Sequence, residues 1–202
     1  MNRRLAVLIS GRGSNLQAIV DAIADRRLDA EIAVVISNRA EAAGLDRARE
    51  AGLETLYISN RAFTSRDDFD RALVDSLVAR GVGLVCLAGF MRLVGRHMLE
   101  AFPEAILNIH PSLLPAFPGV GAQRQALEYG VKVTGVTVHL VTPELDGGPI
   151  VLQRGVPVHG DDTVDSLSAR ILVEEHRAYP DAIKLVLDGG WRLEGRRFRN
   201  GR

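Results

Sequence analysis

Short, wholly apolar runs alternate with segments of helical spacing in the first half of the chain. Three such runs lie at residues 5–9, 32–36 and 84–88. Amphipathic segments at 15–24 and 42–51 follow the first two, and another at 68–80 precedes the third. Strands that are apolar throughout are typical of a parallel sheet, because helices cover both of its faces. The pattern predicts an α/β, Rossmann-like fold with an open, mostly parallel twisted sheet, whose functional loops lie at the carboxyl ends of the strands.

The pattern changes in the second half of the chain. Apolar runs at 106–109 and 150–158 flank a run at 133–141 that alternates clearly, and loops join some of them. An amphipathic segment at 164–187 predicts a long last helix, and residues 191–198 follow it as a final short strand. We therefore expect strands of mixed direction in this C-terminal half.

Length and composition suit one ordinary globular domain. With 202 residues, of which 47% are hydrophobic, the chain can build a single buried core. We expect one domain over residues 1–202, with a parallel half at 1–100 and a mixed half at 101–202.

Charge, cysteine and histidine content limit the classes of partner. Lys and Arg number 25 and Asp and Glu number 25, so nothing predicts a basic face for nucleic acid or membranes, and the expected partners are small molecules. Cys86 is the only cysteine, which excludes an internal disulfide and fits a cytoplasmic protein. The first apolar run is too short for a signal peptide or a membrane span. His97, His159 and His176 lack metal-ligand spacing, so we expect no metal.

A glycine loop, Ser-Gly-Arg-Gly-Ser-Asn-Leu at residues 10–16, separates the first strand from the first helix. Backbone amides and the helix dipole at such a junction attract a phosphate, so the loop geometry favours phosphate binding. The third glycine of a dinucleotide fingerprint is absent and so is a Walker lysine, which favours a phosphate monoester. The alternative is a tight turn with Ser14 or Asn15 as the helix cap.

Asn108 and His110 stand two residues apart at the end of a predicted buried strand. Extended backbone directs both side chains to one face, and Pro111 keeps His110 out of a helix. An amide donor beside an imidazole suits acyl transfer, because both can stabilise the negative oxygen that forms when an amine attacks a formyl carbon. The alternative is a histidine that is hydrogen-bonded locally at the end of a strand.

An acidic glycine turn follows the alternating strand at residues 142–149. Asp146, if it lies near His110, would orient the imidazole and favour its protonated form. Glu144 can equally be a solvated turn residue. The sequence of the whole turn is also consistent with an ordinary turn that has no catalytic role. His139 lies within the strand, where we expect a packed structural role.

Four ordered segments, at 11–16, 87–92, 108–115 and 144–153, closely resemble the folate-dependent glycinamide ribonucleotide formyltransferases of purine synthesis. The resemblance covers nearly the whole chain. It implies transfer of a formyl group from 10-formyltetrahydrofolate to the amine of glycinamide ribonucleotide, without a metal, by a monomer or homodimer. It also implies that residues 1–100 form the phosphate-binding half and residues 101–202 the catalytic and folate-binding half.

The resemblance also implies a role for individual residues. The catalytic group is Asn108, His110 and Asp146, with His110 as proton donor. Gly13, Ser14 and Asn15 of the glycine loop hold the phosphate of the acceptor. Glu175 is implied to bind the ribose of the acceptor, although a solvated helix face explains that residue nearly as well. The family implies a cis Leu114-Pro115 bond beside the site. Folate contacts are implied at Arg66, Met91, Arg92, Leu93, Val94, Asn108, Thr142 and Asp146.

One stretch departs from the family pattern. Many relatives have a histidine after the Phe-Pro-Gly at 117–119, whereas this chain reads Val-Gly-Ala-Gln-Arg-Gln at 120–125. That version is similar to the formyltetrahydrofolate deformylases, so a hydrolase is the alternative enzyme. Methionyl-transfer-RNA formyltransferases share the catalytic set but carry an added domain and a basic surface. A nonenzymatic folate- or nucleotide-binding module is the alternative outside enzymes.

Overall fold

The computed structural model describes residues 2–201, and their contacts form two units, one ending at Asn108 and the other beginning at Ile109. The strands are β1 (Arg4–Ile9), β2 (Glu31–Ser37), β3 (Thr55–Tyr57), β4 (Leu84–Leu87), β5 (Ile106–His110), β6 (Val133–Leu140), β7 (Ile150–Pro157), β8 (Trp191–Glu194) and β9 (Arg197–Asn200). The helices are α1 (Ser14–Ala24), α2 (Ala43–Glu50), α3 (Arg66–Val78), α4 (Arg96–Ala101), α5 (Ala122–Tyr129) and α6 (Val164–Asp188), with a short 3-10 turn at Asn60–Ala62.

The first unit contains a parallel sheet in the strand order β3-β2-β1-β4-β5. Strand β1 lies in the middle, and all its residues from Leu5 to Ile9 are fully buried. The helix α1 buries Leu16 and Ile19 on one face, as the spacing of its apolar residues requires. The glycine loop therefore lies at the carboxyl end of a central strand, where open α/β sheets bind ligands.

The second unit contains strands of both directions. Strands β6 and β7 are antiparallel neighbours, β9 runs parallel to β7, and β8 completes an antiparallel hairpin with β9. The long helix α6 begins at a capping box of Thr163 and Ser166, and Leu167 and Ile171 pack with Val156 of β7. This unit brings the end of β5 and the turn after β6 into one body.

The predicted α/β class, with a parallel first half and a mixed second half, is confirmed. The helix expected from residue 68 begins at Arg66 because Ser65 caps it by accepting a hydrogen bond from the Asp68 amide. Where one final short strand was predicted, the structure has a two-stranded hairpin of β8 and β9. Helices α4 and α5 were not predicted. The expected cis Leu114-Pro115 bond is present. Within residues 2–201, no helix is long and apolar enough to cross a membrane.

Candidate active site

His110 ends strand β5 and places both ring nitrogens against oxygen acceptors. Its Nε2 lies 2.8 Å from the carbonyl oxygen of Phe117, and its Nδ1 lies 3.4 Å from Oδ2 of Asp146. The side chains of His110 and Asp146 are each only 7% exposed. Both ring nitrogens therefore face oxygen atoms that can only accept a hydrogen bond. The structure thus brings together the two residues that the sequence could only suggest as neighbours.

Asp146 is held in a left-handed backbone conformation, with φ of 49°, in the turn after β6. The amide of Gly119 donates to its Oδ2 at 2.7 Å. Burial alone would raise the pKa of this carboxyl, but a hydrogen bond from His139, the Gly119 amide and the charge of His110 outweigh it and lower the pKa below its usual value. Asp146 is therefore a stable anion beside His110.

His139 on strand β6 is the residue that the sequence prediction understated. It is buried, as expected, but its Nε2 lies 3.7 Å from Oδ1 of Asp146 and its Nδ1 lies 2.9 Å from the carbonyl of Leu140. Its burial agrees with the expected packed role, and the ring is in addition a polar partner of the proposed catalytic carboxylate. The available signal was its position just before the acidic turn.

Asn108 is the last residue of the first unit and lies two residues before His110 on β5. It pairs in register with Leu87 of β4 and is partly exposed. The pleat of the strand directs residues 108 and 110 to the same side, as predicted. Its role at a formyl oxygen remains a proposal.

The glycine loop is built on a left-handed Gly13, with φ of 72°, which is the N-cap of α1. The expected cap from Ser14 or Asn15 is wrong, because the helix begins at Ser14 and no side chain caps it. Two loop carbonyls are held by α2, since Gly44 N–H donates to Gly11 and Arg47 Nε donates to Arg12, both at 3.0 Å. The first amides of a helix lack acceptors in a preceding turn, so the loop presents donors to an anion.

Ser10 ties the glycine loop to two other loops of the first unit. Its hydroxyl donates to Oδ1 of Asn38 at 2.6 Å and accepts from the amide of Met91 at 2.8 Å. Its own amide donates to the carbonyl of Gly89 at 3.1 Å. The sequence analysis missed this role for Ser10, which holds the start of the glycine loop beside the segment Met91 to Val94.

The segment Met91 to Val94 follows β4 without regular structure and ends at α4. Met91, Arg92 and Leu93 are exposed, so they are not part of a packed core. Arg66, the first residue of α3, donates to the carbonyl of Val94 at 2.9 Å. One turn further along α3, the buried Asp70 accepts a hydrogen bond from the amide of the next residue, Gly95. Helix α3 therefore binds both polar groups of one peptide bond at the end of the predicted folate segment, the carbonyl of Val94 and the amide of Gly95.

The remaining predicted residues lie in the second unit. Thr142 is partly exposed in the turn after β6, and Arg196 of the final hairpin donates to the carbonyl of Gly147 in that turn. Glu175 is 9% exposed on α6, so the solvated reading of its helix face is wrong for this residue. Among residues 2–201, no group of three or more His, Cys, Asp or Glu side chains could hold a metal ion.

Residues 3–183 match the Formyl transferase family. The chain belongs to that family. The family match contains the glycine loop, Asn108, His110, Asp146 and Glu175, and it ends before the hairpin of β8 and β9. The resemblance stated from the four sequence segments is confirmed.

Solved and curated relatives support the same assignment. The glycinamide ribonucleotide transformylase 1 of Symbiobacterium toebii is 59% identical, with a TM-score of 0.98 over 100% of this chain and 95% of its own. The phosphoribosylglycinamide formyltransferase of Escherichia coli is 46% identical over 92% of this chain and 87% of its own length. The human trifunctional purine biosynthetic protein adenosine-3 is 48% identical over 92% of this chain, which spans only 18% of that protein.

Proposed function

We propose that this chain transfers the formyl group of 10-formyltetrahydrofolate to the amine of glycinamide ribonucleotide in de novo purine biosynthesis. The products are formylglycinamide ribonucleotide and tetrahydrofolate. The observation that carries the proposal is the buried pair of His110 and Asp146, in a chain whose full-length relatives are named phosphoribosylglycinamide formyltransferases. We also propose that the chain works in the cytoplasm as one formyltransferase domain, a monomer or homodimer with only small-molecule partners and no metal.

The reaction is direct attack of the glycinamide amine on the formyl carbon. A carbon–nitrogen bond forms, the carbonyl oxygen becomes negative, and the bond from that carbon to N10 of the folate then breaks. The attacking amine loses one proton and N10 gains one, so no proton is consumed. The protonated imidazole of His110 and the amide of Asn108 stabilise the oxyanion, and His110 supplies the proton that the leaving nitrogen takes up.

Asp146 keeps that imidazole charged and correctly turned. Its carboxylate faces Nδ1, while the Phe117 carbonyl faces Nε2, so the ring is held by two acceptors. Proton transfer from Nε2 requires the substrate to replace or share the Phe117 contact. The low pKa of Asp146 means that the carboxylate stays ionised while His110 changes protonation state.

Two separate groups of the residues described above are assigned to the acceptor and to the folate. The amides at Gly13, Ser14 and Asn15 receive the phosphate of the acceptor, and the buried Glu175 receives hydroxyls of its ribose. The folate contacts are Arg66, Met91, Arg92, Leu93, Val94, Asn108, Thr142 and Asp146.

The test is formyl release from 10-formyltetrahydrofolate with and without glycinamide ribonucleotide. The expected result is turnover that requires the ribonucleotide and falls about 100-fold or more in His110→Ala. His159→Ala, which removes an exposed histidine of the same unit, serves as the control and should keep full turnover. Equal folate hydrolysis without acceptor would instead indicate a deformylase, and no turnover under either condition would indicate a binding module.

A further inference from the structure

A polar cavity of about 480 Å³ lies at the carboxyl ends of β2, β3 and β4 in the first unit. Its walls include Arg39, Arg61 and Arg92, one from the loop after each of these strands. The lining does not include Gly13, Ser14 or Asn15, so this cavity is separate from the proposed phosphate loop. Its volume is within the range of sites that bind small molecules, roughly 300–1,000 Å³.

The three guanidinium groups of this cavity make no hydrogen bond or ion pair with residues 2–201. Elsewhere in the same unit arginines are commonly paired: Arg4 lies 2.8 Å from Glu31, and Arg80 lies 2.6 Å from Glu54. Like charges gathered in a concave surface raise the local positive potential, which attracts an anion with more than one negative charge. Arginine is also the side chain that binds phosphate through two parallel hydrogen bonds.

Hydrogen bonds fix the loops that carry Arg39 and Arg61. The side chain of Asn38 donates to Oδ1 of Asn60 at 3.0 Å and is itself held by Ser10. Arg39 directly follows Asn38, and Arg61 directly follows Asn60. The hydrogen bond between the two asparagines therefore holds the two arginine backbones next to each other without a ligand. A preformed arrangement reduces the entropy that ligand binding would otherwise cost.

Two further lining residues indicate what accompanies the phosphate. Tyr57 lines the cavity and is 52% exposed, and an exposed aromatic ring is a surface on which a planar base can stack. Glu41 is the only acidic residue among the lining residues, and a carboxylate beside the second strand is the usual acceptor for ribose hydroxyls in Rossmann-like folds. The same folds place an arginine near this position when the ribose carries a phosphate.

We propose that this cavity binds a nucleoside phosphate with at least two negative charges. Arg39, Arg61 and Arg92 hold its phosphates, Tyr57 stacks on its base, and Glu41 accepts from its ribose. The cavity shares Met91 and Arg92 with the proposed folate segment. Arg39, Arg61, Tyr57 and Glu41 have no role in the proposed formyl transfer.

The test is isothermal titration of the full chain with adenosine, ADP and inorganic pyrophosphate, in the absence of formyl donor and acceptor. ADP is expected to bind more tightly than adenosine or pyrophosphate, and Arg39→Gln and Arg61→Gln should each weaken it about tenfold. Tyr57→Leu should weaken ADP but leave pyrophosphate unchanged. Arg26→Gln, an exposed arginine that also lacks a side-chain partner but lies outside the cavity, should have no effect.

Three results would overturn the proposal. The first is no binding of ADP to the folded chain, which thermal unfolding of the same samples would show to be intact. The second is ADP binding that is equal in Arg39→Gln, Arg61→Gln and the unaltered chain, since the ligand would then occupy another site such as the glycine loop. The third is pyrophosphate binding as tight as that of ADP, which would exclude a nucleoside contribution. Because no formyl transfer is measured, failure of the proposed enzyme activity would leave this test unaffected.

Discussion

Replacing Asp146 by asparagine removes the negative charge between two histidine rings while keeping the size of the side chain. In the folded chain the carboxylate accepts from the Gly119 amide and faces Nδ1 of His110 and Nε2 of His139. The asparagine oxygen can still accept from Gly119, so the turn should keep its shape. What the variant loses is the negative charge that faces Nδ1 of His110 and Nε2 of His139.

The expected size of this loss follows from the contact distances. Hydrogen bonds to charged groups contribute about 1.5–3 kcal/mol. The 3.4 Å distance from His110 Nδ1 exceeds the roughly 2.7–2.9 Å of a strong charge-assisted bond, which favours the lower part of that range. A loss of about 1.5–2 kcal/mol in transition-state stabilisation lowers kcat/KM roughly 10- to 30-fold, since about 1.4 kcal/mol is a factor of ten.

The assay is steady-state formyl transfer by Asp146→Asn and by Asp181→Asn. The second variant makes the same chemical change at a half-exposed aspartate that pairs with Arg154 at 2.7 Å in the same unit. It should lower kcat/KM by less than about threefold, because exposed ion pairs contribute little. If Asp146→Asn folds and also stays within about threefold of the unaltered chain, the charge of Asp146 does not act on His110 as argued.

Other perturbations test the loops and the buried carboxylates. Gly13→Ala should destabilise the chain by about 1–2 kcal/mol in urea unfolding, because φ at Gly13 is 72° and the added Cβ would press on the backbone of α2. The control is Gly11→Ala, whose added Cβ meets nothing within 4 Å. Burial raises the pKa of Asp70, so the unaltered chain should lose stability relative to Asp70→Asn as the pH rises above about 4. For Asp146 the dependence of stability on pH has the opposite sign, because its pKa is lowered in spite of burial. The stability that Asp146 contributes relative to Asp146→Asn is present above about pH 4. It is lost as the pH falls through the pKa of Asp146 in the folded chain. His139→Phe should raise the pKa of Asp146, which carboxyl NMR would detect, and an unchanged pKa would contradict the assigned contact.

The parallel strands could be predicted because their burial leaves a plain sequence pattern. Every residue of β4 is buried, so its sequence is apolar without a break. The missed helices leave almost no such pattern: α4 has six residues and buries only Met98, while α5 buries only Ala122 and Ala126. Small buried side chains and single turns carry too few apolar positions for periodicity to detect.

Strand β6 shows why the role of His139 was missed. Alternation of polar and apolar residues predicts a strand with one solvated face, yet Thr134 to Leu140 are all buried. On a strand buried on both faces, periodicity cannot say which polar residue meets another polar group. The same limit applies to Asp70, a charged residue that is 1% exposed on the buried face of α3.

The positions of Phe117 and Asp146 depend on backbone conformations that their residue types disfavour. Both have left-handed φ values, of 55° and 49°, which cost a non-glycine residue about 1–2 kcal/mol. The two residues supply the acceptors for the two nitrogens of His110, the Phe117 carbonyl for Nε2 and the Asp146 carboxylate for Nδ1. Glycine at either position would remove the strain, but glycine at 146 would also remove the carboxylate. The strain therefore lies where the imidazole is oriented. Aspartate is a common turn residue that tolerates the left-handed region, whereas phenylalanine is not, so the sequence pattern does not reveal the conformation of Phe117.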